Sequence, residues 1–441
     1  MDLGDKSRVV IVGGGAGGLE LATRLGRRYG RRGELHVTLV DRAYSHLWKP
    51  LLHEVAAGTL NSSEDELSYL AQAHWNHFSF RVGALEAIDR ENRTITIAAS
   101  HDADGREYIP ERILPYDLLV LAIGSVTNDF GIEGVAEHCF FLDRREQADA
   151  FHQHLVRACY AANAGAEPVR PGRLHIAIAG AGATGVELAA ELHHSLRTLV
   201  EYGLDRIDVE HDIRIHLIEG SDRILPGLPE KVSRSTHAVL EKLGVVVHTN
   251  ELVTRATADG LWTKSGQFIP AEIKVWAAGI KGPAVLGRLG GLEVNRANQL
   301  IVAPTLQTTR DERIFALGDC AACPLGEDGR NVPPRAQAAH QQATHLVGTV
   351  ARLREGKALE AYVYRDFGSL INLAKHSAVG NLMGNLLGRE PSFPIEGRLA
   401  RWAYLSLYKM HQVAVLGWVR TAADTVADIL TRSSKPRLKL H

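Results

Sequence analysis

The feature that most constrains this chain is a strand, a glycine turn and a helix in immediate succession near its start. Val9 to Val12 are four β-branched residues that predict a short buried strand, and apolar residues at helical spacing begin at Leu19. Between them, the G-x-G-x-x-G pattern is formed by Gly13, Gly15 and Gly18. The first glycine allows the turn, the second lets the backbone approach a pyrophosphate, and the third lets helix and strand pack closely. The pattern therefore predicts a dinucleotide-binding unit.

The same pattern occurs a second time, which is far more specific than either copy alone. A predicted strand begins at Leu174, and the turn after it contains Gly180, Gly182 and Gly185. In each copy the next predicted strand ends in an acid, first Asp41 and then Glu219. Such an acid can bind a ribose 2′-hydroxyl and repels a 2′-phosphate, so a nicotinamide nucleotide in the second copy is expected to be NADH rather than NADPH. Two copies predict an α/β chain that binds two dinucleotides.

The composition argues against several classes of protein. A length of 441 residues suits two or three domains, and a net charge of −1 provides no basic field for nucleic acid. Four cysteines are too few for a disulfide framework, which favours a reducing compartment. We expect no targeting peptide before the first strand and, because the sequence lacks a run of 18 apolar residues, no membrane-spanning helix.

Four other segments are candidates for cofactor contacts. Two predicted strands end in glycine, at Gly124 and Gly279, and a later strand leads into a turn that carries Asp319. A mixed segment after Asp41 contains the turn residues Lys49, Pro50 and Leu51. This turn could lie against a cofactor ring or could simply pack its apolar side chains, and composition leaves both interpretations open.

A predicted helix after Pro333 has an unusually polar face. Gln337 and Gln341 stand one helical turn apart among small residues, so this face is poor material for a hydrophobic core. From spacing alone, a solvated helix surface is favoured over a binding function for these two amides.

The C-terminal tail differs in character from the rest of the chain. From residue 398 onward it has eight Lys or Arg residues against two acids, together with the aromatic residues Trp402, Tyr404, Tyr408 and Trp418. An apolar helix with aromatic and basic flanks is typical of a segment that lies in a membrane interface. A dimerisation or docking helix is the alternative.

These landmarks together resemble the flavoproteins with two dinucleotide-binding domains that are related to glutathione reductase. Within them, the chain is most similar to the type II NADH dehydrogenases, the single-subunit, non-proton-pumping NADH:quinone oxidoreductases. The resemblance runs from Val9 to about Gly380. The motifs that carry it are Gly13–Gly18, His46–Gly58, Gly180–Leu192, Ala316–Ala321 and, as the family's A-Q-x-A-x-Q-Q quinone-site pattern, Ala336–Gln342.

The resemblance implies roles for individual residues. FAD would be bound by Gly13, Gly15, Gly18, Asp41 and, at its ribityl chain, Asp319, with its isoalloxazine ring near Lys49, Pro50 and Leu51. NADH would be bound by Gly180, Gly182, Gly185 and Glu219. The predicted cofactor-binding set is completed by Gly124 and Gly279.

The same resemblance implies a set of catalytic residues. Glu187 resembles the family glutamate close to nicotinamide and flavin, and Lys375 resembles a lysine near the pyrimidine edge of the flavin. Gln337 and Gln341 would belong to the quinone site. One departure from the family pattern is an insertion, Arg197–His211, which lengthens the approach to the second acidic residue.

The implied activity is FAD-dependent oxidation of NADH by hydride transfer to flavin N5, then two-electron reduction of a membrane quinone, ubiquinone or menaquinone, without proton pumping. The expected fold is α/β, with two Rossmann-like domains of the glutathione-reductase type and a C-terminal amphipathic helical membrane-anchoring region. Residues 1–135 and 300–380 are predicted to form the FAD domain, 136–299 the NADH domain and 381–441 the membrane-association region. We expect a peripheral protein without a metal on the cytoplasmic face of a bacterial inner membrane, and the tail would also suit a homodimer.

The alternatives within this fold are a sulfide:quinone oxidoreductase or another NAD(P)H-dependent flavoprotein reductase. A sulfide enzyme needs redox cysteines at the flavin face, and this chain has only Cys139, Cys159, Cys320 and Cys323. The last two follow Asp319, where the ribityl and phosphate end of a flavin is expected, so packed thiols are favoured. A non-catalytic flavoprotein is disfavoured by the second glycine pattern.

Overall fold

The structure is a computed structural model in two compact units, each assembled from separate stretches of the chain. It describes residues 3–62, 66–102, 104–165, 174–326, 329–373, 377–383, 392–396, 398–431 and 438–439. Unit 1 consists of Met1–Trp48, Glu66–Val126 and Ile280–Tyr364. Unit 2 consists of Lys49–Asp65, Thr127–Gly279 and Arg365–His441. The predicted domain boundaries, and the nucleotide assigned to each domain, stay predictions.

Strands and helices alternate around the two glycine turns, whereas residues 79–121 and 246–316 contain runs of consecutive strands. The main strands are β1 Ser7–Val12, β2 Leu35–Asp41, β3 Ser79–Val82, β4 Leu85–Asp89, β5 Thr94–Ile97, β6 Arg112–Pro115, β7 Leu118–Leu121, β8 Leu174–Ala179, β9 Ile213–Ile218, β10 Val246–His248, β11 Val253–Thr257, β12 Gly260–Thr263, β13 Phe268–Pro270, β14 Ile273–Trp276, β15 Gln307–Thr308, β16 Asp311–Ala316, β17 Ser369–Leu373, β18 Ser377–Met383 and β19 Ser392–Glu396. The main helices are α1 Ala16–Arg28, α2 Leu52–Ala57, α3 Tyr69–Asn76, α4 Arg145–Ala164, α5 Ala183–Glu201, α6 Glu230–Lys242, α7 Ala336–Arg354, α8 Arg398–Leu416 and α9 Trp418–Thr431.

Shorter elements complete the described chain. The remaining strands are Ser45–His46, Leu67–Ser68, Ser100–His101, Glu107–Ile109, Val126–Thr127, Ile280–Lys281, Leu300–Ile301 and Ala321–Ala322. The remaining helices are Val135–His138 and Val209–Asp212, with 3-10 turns at Gly30–Arg32, Lys49–Leu51, Ala284–Arg288 and Gly318–Cys320.

Unit 1 is built on a six-stranded sheet with the order β15-β16-β7-β1-β2-β3, parallel except for the β15–β16 pair. Val9–Val12 lie at the centre of this sheet and are fully buried, which explains the run of β-branched residues. The strand ends are in register, since Val12 pairs with Val40 and with Leu121. The same edge of the sheet therefore carries Asp41, at the end of β2, and the residues that follow β1, β7 and β16, which are Gly13, Gly124 and Asp319.

Unit 2 repeats this construction with a four-stranded parallel sheet in the order β10-β9-β8-β14. An antiparallel sheet, β11-β12-β13, packs against one face of it through a cluster that includes Ala177, Ile218 and Leu261. The ends of β8 and β9 are again in register, because Ala179 pairs with Ile218. Gly180 and Glu219 consequently follow neighbouring strand ends.

The C-terminal part of unit 2 begins with the antiparallel sheet β17-β18-β19, which is followed by α8 and α9. Across the described residues, every helix is either too short or too polar to span a bilayer.

The predicted α/β class, with two parallel-sheet units and a helical C-terminal region, is confirmed. The insertion Arg197–His211 is a continuation of α5 to Glu201, followed by a short helix, Val209–Asp212.

The close contact at Gly18 gives a direct test of this fold. Alanine is favoured over glycine inside a helix by about 1 kcal/mol, so Gly18→Ala would stabilise α1 if there were room. A Cβ at this position would lie 1.8 Å from the carbonyl oxygen of Gly13, which is backbone and cannot rotate away. We therefore expect Gly18→Ala to lower stability by about 2 kcal/mol or more, measured as a fall in melting temperature of the flavin-free protein.

Gly15→Ala is the matched control, because no atom of the described residues lies within 4 Å of the position that its Cβ would take. It should change stability by about 1 kcal/mol or less, the usual difference between glycine and alanine at a helix N-cap. Equal melting temperatures for the two variants would show that the helix is not packed against the strand as described.

Candidate active site

Of the three glycines in the first G-x-G-x-x-G pattern, in unit 1, two have no room for a side chain and one does. Gly13 has φ of 104°, and a Cβ on it would lie 2.3 Å from the carbonyl oxygen of Ala122. Gly18 packs against the Gly13 carbonyl, as described above. At Gly15, by contrast, protein packing would accept a Cβ, so the open space beside this residue is available to a ligand. A turn of this form at a helix N-terminus fits the pyrophosphate of a dinucleotide.

Asp41 holds this turn from the end of the neighbouring strand. Its Oδ2 accepts the backbone N–H of Gly14 at 2.6 Å, and its Oδ1 accepts the backbone N–H of Ala43 at 2.8 Å. Burial raises the pKa of Asp41, and these two backbone donors oppose that rise. Each carboxylate oxygen keeps a second acceptor position, which a ribose hydroxyl could use.

The second turn, in unit 2, repeats the arrangement of the glycines and the acid. Gly180 has φ of 103°, and a Cβ on Gly185 would lie 1.9 Å from the Gly180 carbonyl oxygen. Glu219 Oε2 accepts the backbone N–H of Ala181 at 2.9 Å, and Oε1 accepts that of Ser221 at 2.9 Å. The insertion before β9 therefore does not change the pairing of this acid with its glycine turn. Gly182, like its counterpart in unit 1, has open space around it.

A third turn, which lies in unit 1, carries Asp319 and is fixed by three hydrogen bonds. Asp319 Oδ2 accepts the hydroxyl of Ser125 at 2.9 Å, and the Asp319 carbonyl accepts the side-chain amide of Gln299 at 2.9 Å. The preceding residue, Gly318, donates its N–H to Oε1 of the buried Gln342 at 2.7 Å. Since Ser125 directly follows Gly124, the structure brings together these two parts of the predicted FAD site.

Helix α7 bears Gln337 and Gln341, and both side chains are half-buried. Between them, His340 Nδ1 lies 2.6 Å from Oε2 of Glu20, a fully buried residue of α1. The two glutamines are therefore on a helix that is fixed against α1. A quinone role for Gln337 and Gln341 stays a prediction.

The turn Lys49–Leu51 belongs to unit 2 and leads directly into α2. Lys49 Nζ lies 3.7 Å from Asp143 Oδ1, which also accepts the backbone N–H of Thr127 at 2.8 Å. Leu51 is buried and Pro50 is half-buried. Packing thus accounts for Leu51, while the half-exposed Lys49 remains a candidate for contact with a cofactor.

Glu187 lies on α5 and is seven per cent exposed. Its Oε1 accepts the backbone N–H of Asn372 at 3.0 Å, and its Oε2 lies 3.7 Å from Nδ1 of His53. Burial, together with the nearby Glu54 and Glu191, raises the pKa of Glu187 to about 8. Burial also lowers the pKa of His53 to about 4. At pH 7 both partners are therefore neutral, and they do not form an ion pair.

Two other predicted residues remain. Gly279 is exposed, with φ of 68°, and its carbonyl accepts the backbone N–H of Asn128 at 3.2 Å. Lys375 lies outside the described residues, so its predicted position near a flavin stays a prediction.

Comparison with known proteins identifies the family. The family model for pyridine nucleotide-disulphide oxidoreductases matches residues 7–343. A type II NADH:quinone oxidoreductase of Haemophilus influenzae is 44% identical over 445 aligned residues, covering 98% of this chain and 99% of the relative. One from Staphylococcus aureus is 28% identical, covering 88% and 93%. The chain belongs to the type II NADH:quinone oxidoreductases.

Solved structures agree with this family at the level of the fold. NDH2 from Plasmodium falciparum, solved in complex with NADH, has a TM-score of 0.80 at 19% identity and covers 98% of this chain and 100% of its own. The sulfide:quinone oxidoreductase of Aquifex aeolicus has a TM-score of 0.72 at 20% identity, with coverages of 96% and 95%. Identities this low show a shared fold and do not separate the two activities.

The cysteines separate this type II NADH:quinone oxidoreductase from the sulfide alternative. Cys320 and Cys323 are both free and buried, and burial raises the pKa of each to about 11. Cys320 Sγ donates to the Leu317 carbonyl at 3.2 Å, so it points back into its own turn. A neutral, buried thiol is a poor nucleophile. The expectation of packed thiols is confirmed.

Several residues around the sites are not predicted by the sequence. Helical spacing selects Gln337 and Gln341 and misses Gln342. Of these three glutamines, Gln342 is the buried one. Asn372 acts through its backbone, which no side-chain pattern reveals. His46 and Tyr69 both contact Gly14. The sequence points to His46, because it is the first residue of one of the family motifs, but it does not point to Tyr69.

The raised pKa of Glu187 predicts a pH-dependent stability. The folded protein binds one more proton than the unfolded chain between pH 4.5, the ordinary value, and pH 8, so stability falls as pH rises through this window. Glu187→Gln removes the penalty and should raise stability by on the order of 3 kcal/mol at pH 7. The gain should vanish near pH 4, measured as melting temperature relative to the unmodified protein.

Glu137→Gln provides the control, since the side chain of Glu137 is 79% exposed. It should alter stability by about 0.5 kcal/mol or less at any pH. A Glu187→Gln protein that is equally or less stable at pH 7, with no pH trend, would contradict a neutral Glu187.

Proposed function

We propose that this chain oxidises NADH and reduces a membrane quinone through a bound FAD. The observation that carries the proposal is the 44% identity with the Haemophilus influenzae enzyme, spread over almost the entire length of both chains. Two complete glycine turns, each with its acid, support it independently, because the reaction needs one site for a resident dinucleotide and one for a dinucleotide substrate.

FAD, when bound, accepts a hydride from NADH and passes two electrons to the quinone. In this proposal unit 1 binds FAD. The cofactor would be contacted at the open space beside Gly15, by the carboxylate of Asp41 and by the turn that carries Asp319. Unit 2 is the NADH side, with Gly182 and Glu219 in the corresponding positions. A carboxylate at Glu219 repels a 2′-phosphate, so NADH is preferred over NADPH.

Glu187 supplies a proton-holding group in this scheme. Reduction of a quinone consumes two protons along with two electrons, and an ionised carboxylate could not donate one. Because its pKa is raised to about 8, Glu187 carries a proton at pH 7. The N–H of Asn372 occupies Oε1, so the proton is carried on Oε2. This residue holds and returns a proton; hydride transfer itself needs no base.

The C-terminal helices support association with a membrane surface. Several large apolar side chains of α8 and α9 face solvent. Trp418 and Leu430 are each 74% exposed, and the others are Met410, Val413, Val419 and Val426. An amphipathic helix with an exposed tryptophan and basic neighbours binds in the headgroup region rather than across it. We propose that the protein lies on the cytoplasmic face of a bacterial membrane. The alternative is that the same apolar surface forms a homodimer interface.

Anaerobic stopped-flow absorbance near 450 nm tests the proposed function. Mixing with NADH should bleach the flavin rapidly, NADPH should bleach it much more slowly, and a short-chain quinone should restore the colour. Bleaching by sulfide in place of NADH would indicate the sulfide alternative. Absence of flavin absorbance in the purified protein, even after incubation with FAD, would exclude the proposed function.

A pair of alanine variants tests which unit binds which nucleotide. Gly15→Ala should weaken FAD binding by about tenfold or more, because its Cβ would stand where the pyrophosphate approaches the backbone. Gly182→Ala should leave the FAD content unchanged and raise KM for NADH by about the same factor. Flavin content and steady-state KM separate the two effects.

The two variants serve as controls for each other, since in the described part of the chain neither Cβ would have a protein atom within 4 Å. If Gly182→Ala lost flavin and Gly15→Ala did not, the assignment of the nucleotides would be reversed.

A further inference from the structure

The carbonyl oxygen of Gly14, inside the first glycine turn, accepts hydrogen bonds from two buried side chains. Tyr69 donates its hydroxyl at 2.8 Å, and Nδ1 of His46 lies 2.9 Å away. Both side chains are only 3% exposed. A carbonyl oxygen has two lone pairs, so its acceptor capacity is filled.

Both groups act as donors throughout the physiological range. Burial lowers the pKa of His46 to about 4, so the ring is neutral, and its contact with a carbonyl places the proton on Nδ1. Burial also raises the pKa of Tyr69 well above its ordinary value, so the hydroxyl keeps its proton. The contact is thus maintained by two neutral donors, without dependence on pH near 7.

Fixing this carbonyl also fixes the next N–H. The Gly14–Gly15 peptide is trans, so the N–H of Gly15 points opposite to the Gly14 carbonyl. The other end of Gly14 is held by Asp41, which accepts its N–H at 2.6 Å. Hydrogen bonds to a peptide carbonyl also polarise the N–H of the same peptide and make it a stronger donor. The Gly15 N–H is therefore both oriented and strengthened.

The identity of residue 14 supports this interpretation. The φ angle of Gly14 is one that any residue could adopt, yet a Cβ at this position would lie 2.4 Å from the Tyr69 ring. The ring itself is packed in place, with its centroid 5.1 Å from that of Phe80. Glycine is thus needed at position 14 because Tyr69 lies directly on the turn.

We propose that His46 and Tyr69 are positioning residues for FAD, which orient the Gly15 N–H toward the pyrophosphate by holding the Gly14 carbonyl. This inference rests on the proposed function, which assigns FAD to unit 1. Neither residue needs to touch the cofactor, since each acts through the Gly14–Gly15 peptide.

The second glycine turn lacks this arrangement within the described residues. The corresponding carbonyl, that of Ala181, accepts a single backbone N–H from Leu225 at 2.8 Å. Two side-chain donors in one turn and one backbone donor in the other match a cofactor that is retained and a substrate that exchanges. The difference predicts that losing the side-chain donors affects FAD and not NADH.

Tyr69→Phe tests the proposal, because it removes the hydroxyl and keeps the packed ring. Flavin-free protein is titrated with FAD and followed by quenching of flavin fluorescence. One net hydrogen bond corresponds to a Kd for FAD about three- to tenfold higher. KM for NADH, measured at saturating FAD, should be unchanged. Tyr116→Phe is the matched control, since that tyrosine is equally buried and its hydroxyl has no partner in the described part of the chain.

A second pair of variants separates hydrogen bonding from packing and covers the case in which Tyr69→Phe does not fold. His46→Asn keeps a donor at the place of Nδ1 and should retain FAD affinity, whereas His46→Leu should weaken it by a similar factor. Folded Tyr69→Phe and His46→Leu proteins that bind FAD as tightly as the unmodified chain would overturn the positioning role alone. If the unmodified chain does not bind FAD, the proposed function itself fails, and the positioning role fails with it.

Discussion

The interaction on which this structure depends is the contact between the first and third glycines of each turn. With no Cβ at Gly18, α1 can approach until its backbone touches the Gly13 carbonyl, and Gly185 does the same for α5 at Gly180. This contact sets the angle of the helix to the sheet and brings the helix N-terminus to the strand end. All later features, the acids, the Asp319 turn and the open space for a pyrophosphate, are arranged around that point.

The acids at the neighbouring strand ends have a structural task before any ligand arrives. Asp41 and Glu219 each accept two backbone N–H groups, one of which belongs to the glycine turn itself. The negative charge therefore stabilises turn amides that would otherwise be unpaired and orients the acid for a ribose. Because one carboxylate serves both purposes, its amide replacement would change the turn as well as the nucleotide preference.

The parts of the site that could be predicted from the sequence are those encoded locally. Glycines and acids at fixed distances from a strand are visible in the sequence, and both turns form as expected. The contacts that could not be predicted connect distant positions: Tyr69 reaches Gly14 from 55 residues away, and Asn372 reaches Glu187 from 185 residues away. Spacing on a helix also does not reveal which face is buried, which is why it points to Gln337 and Gln341 and misses Gln342.

Glu187 and His53 show how burial decides chemistry when it competes with attraction between charges. At 3.7 Å an acid and a histidine could form an ion pair. Desolvation, however, raises the pKa of Glu187 and lowers that of His53, so the neutral form of each is favoured at pH 7. Near Glu187 the additional carboxyl groups of Glu54 and Glu191 push in the same direction. A neutral acid can release a proton where an ion pair would hold it. Burial of this acid lowers the stability of unit 2 at neutral pH, because the carboxyl group must stay protonated in the folded protein.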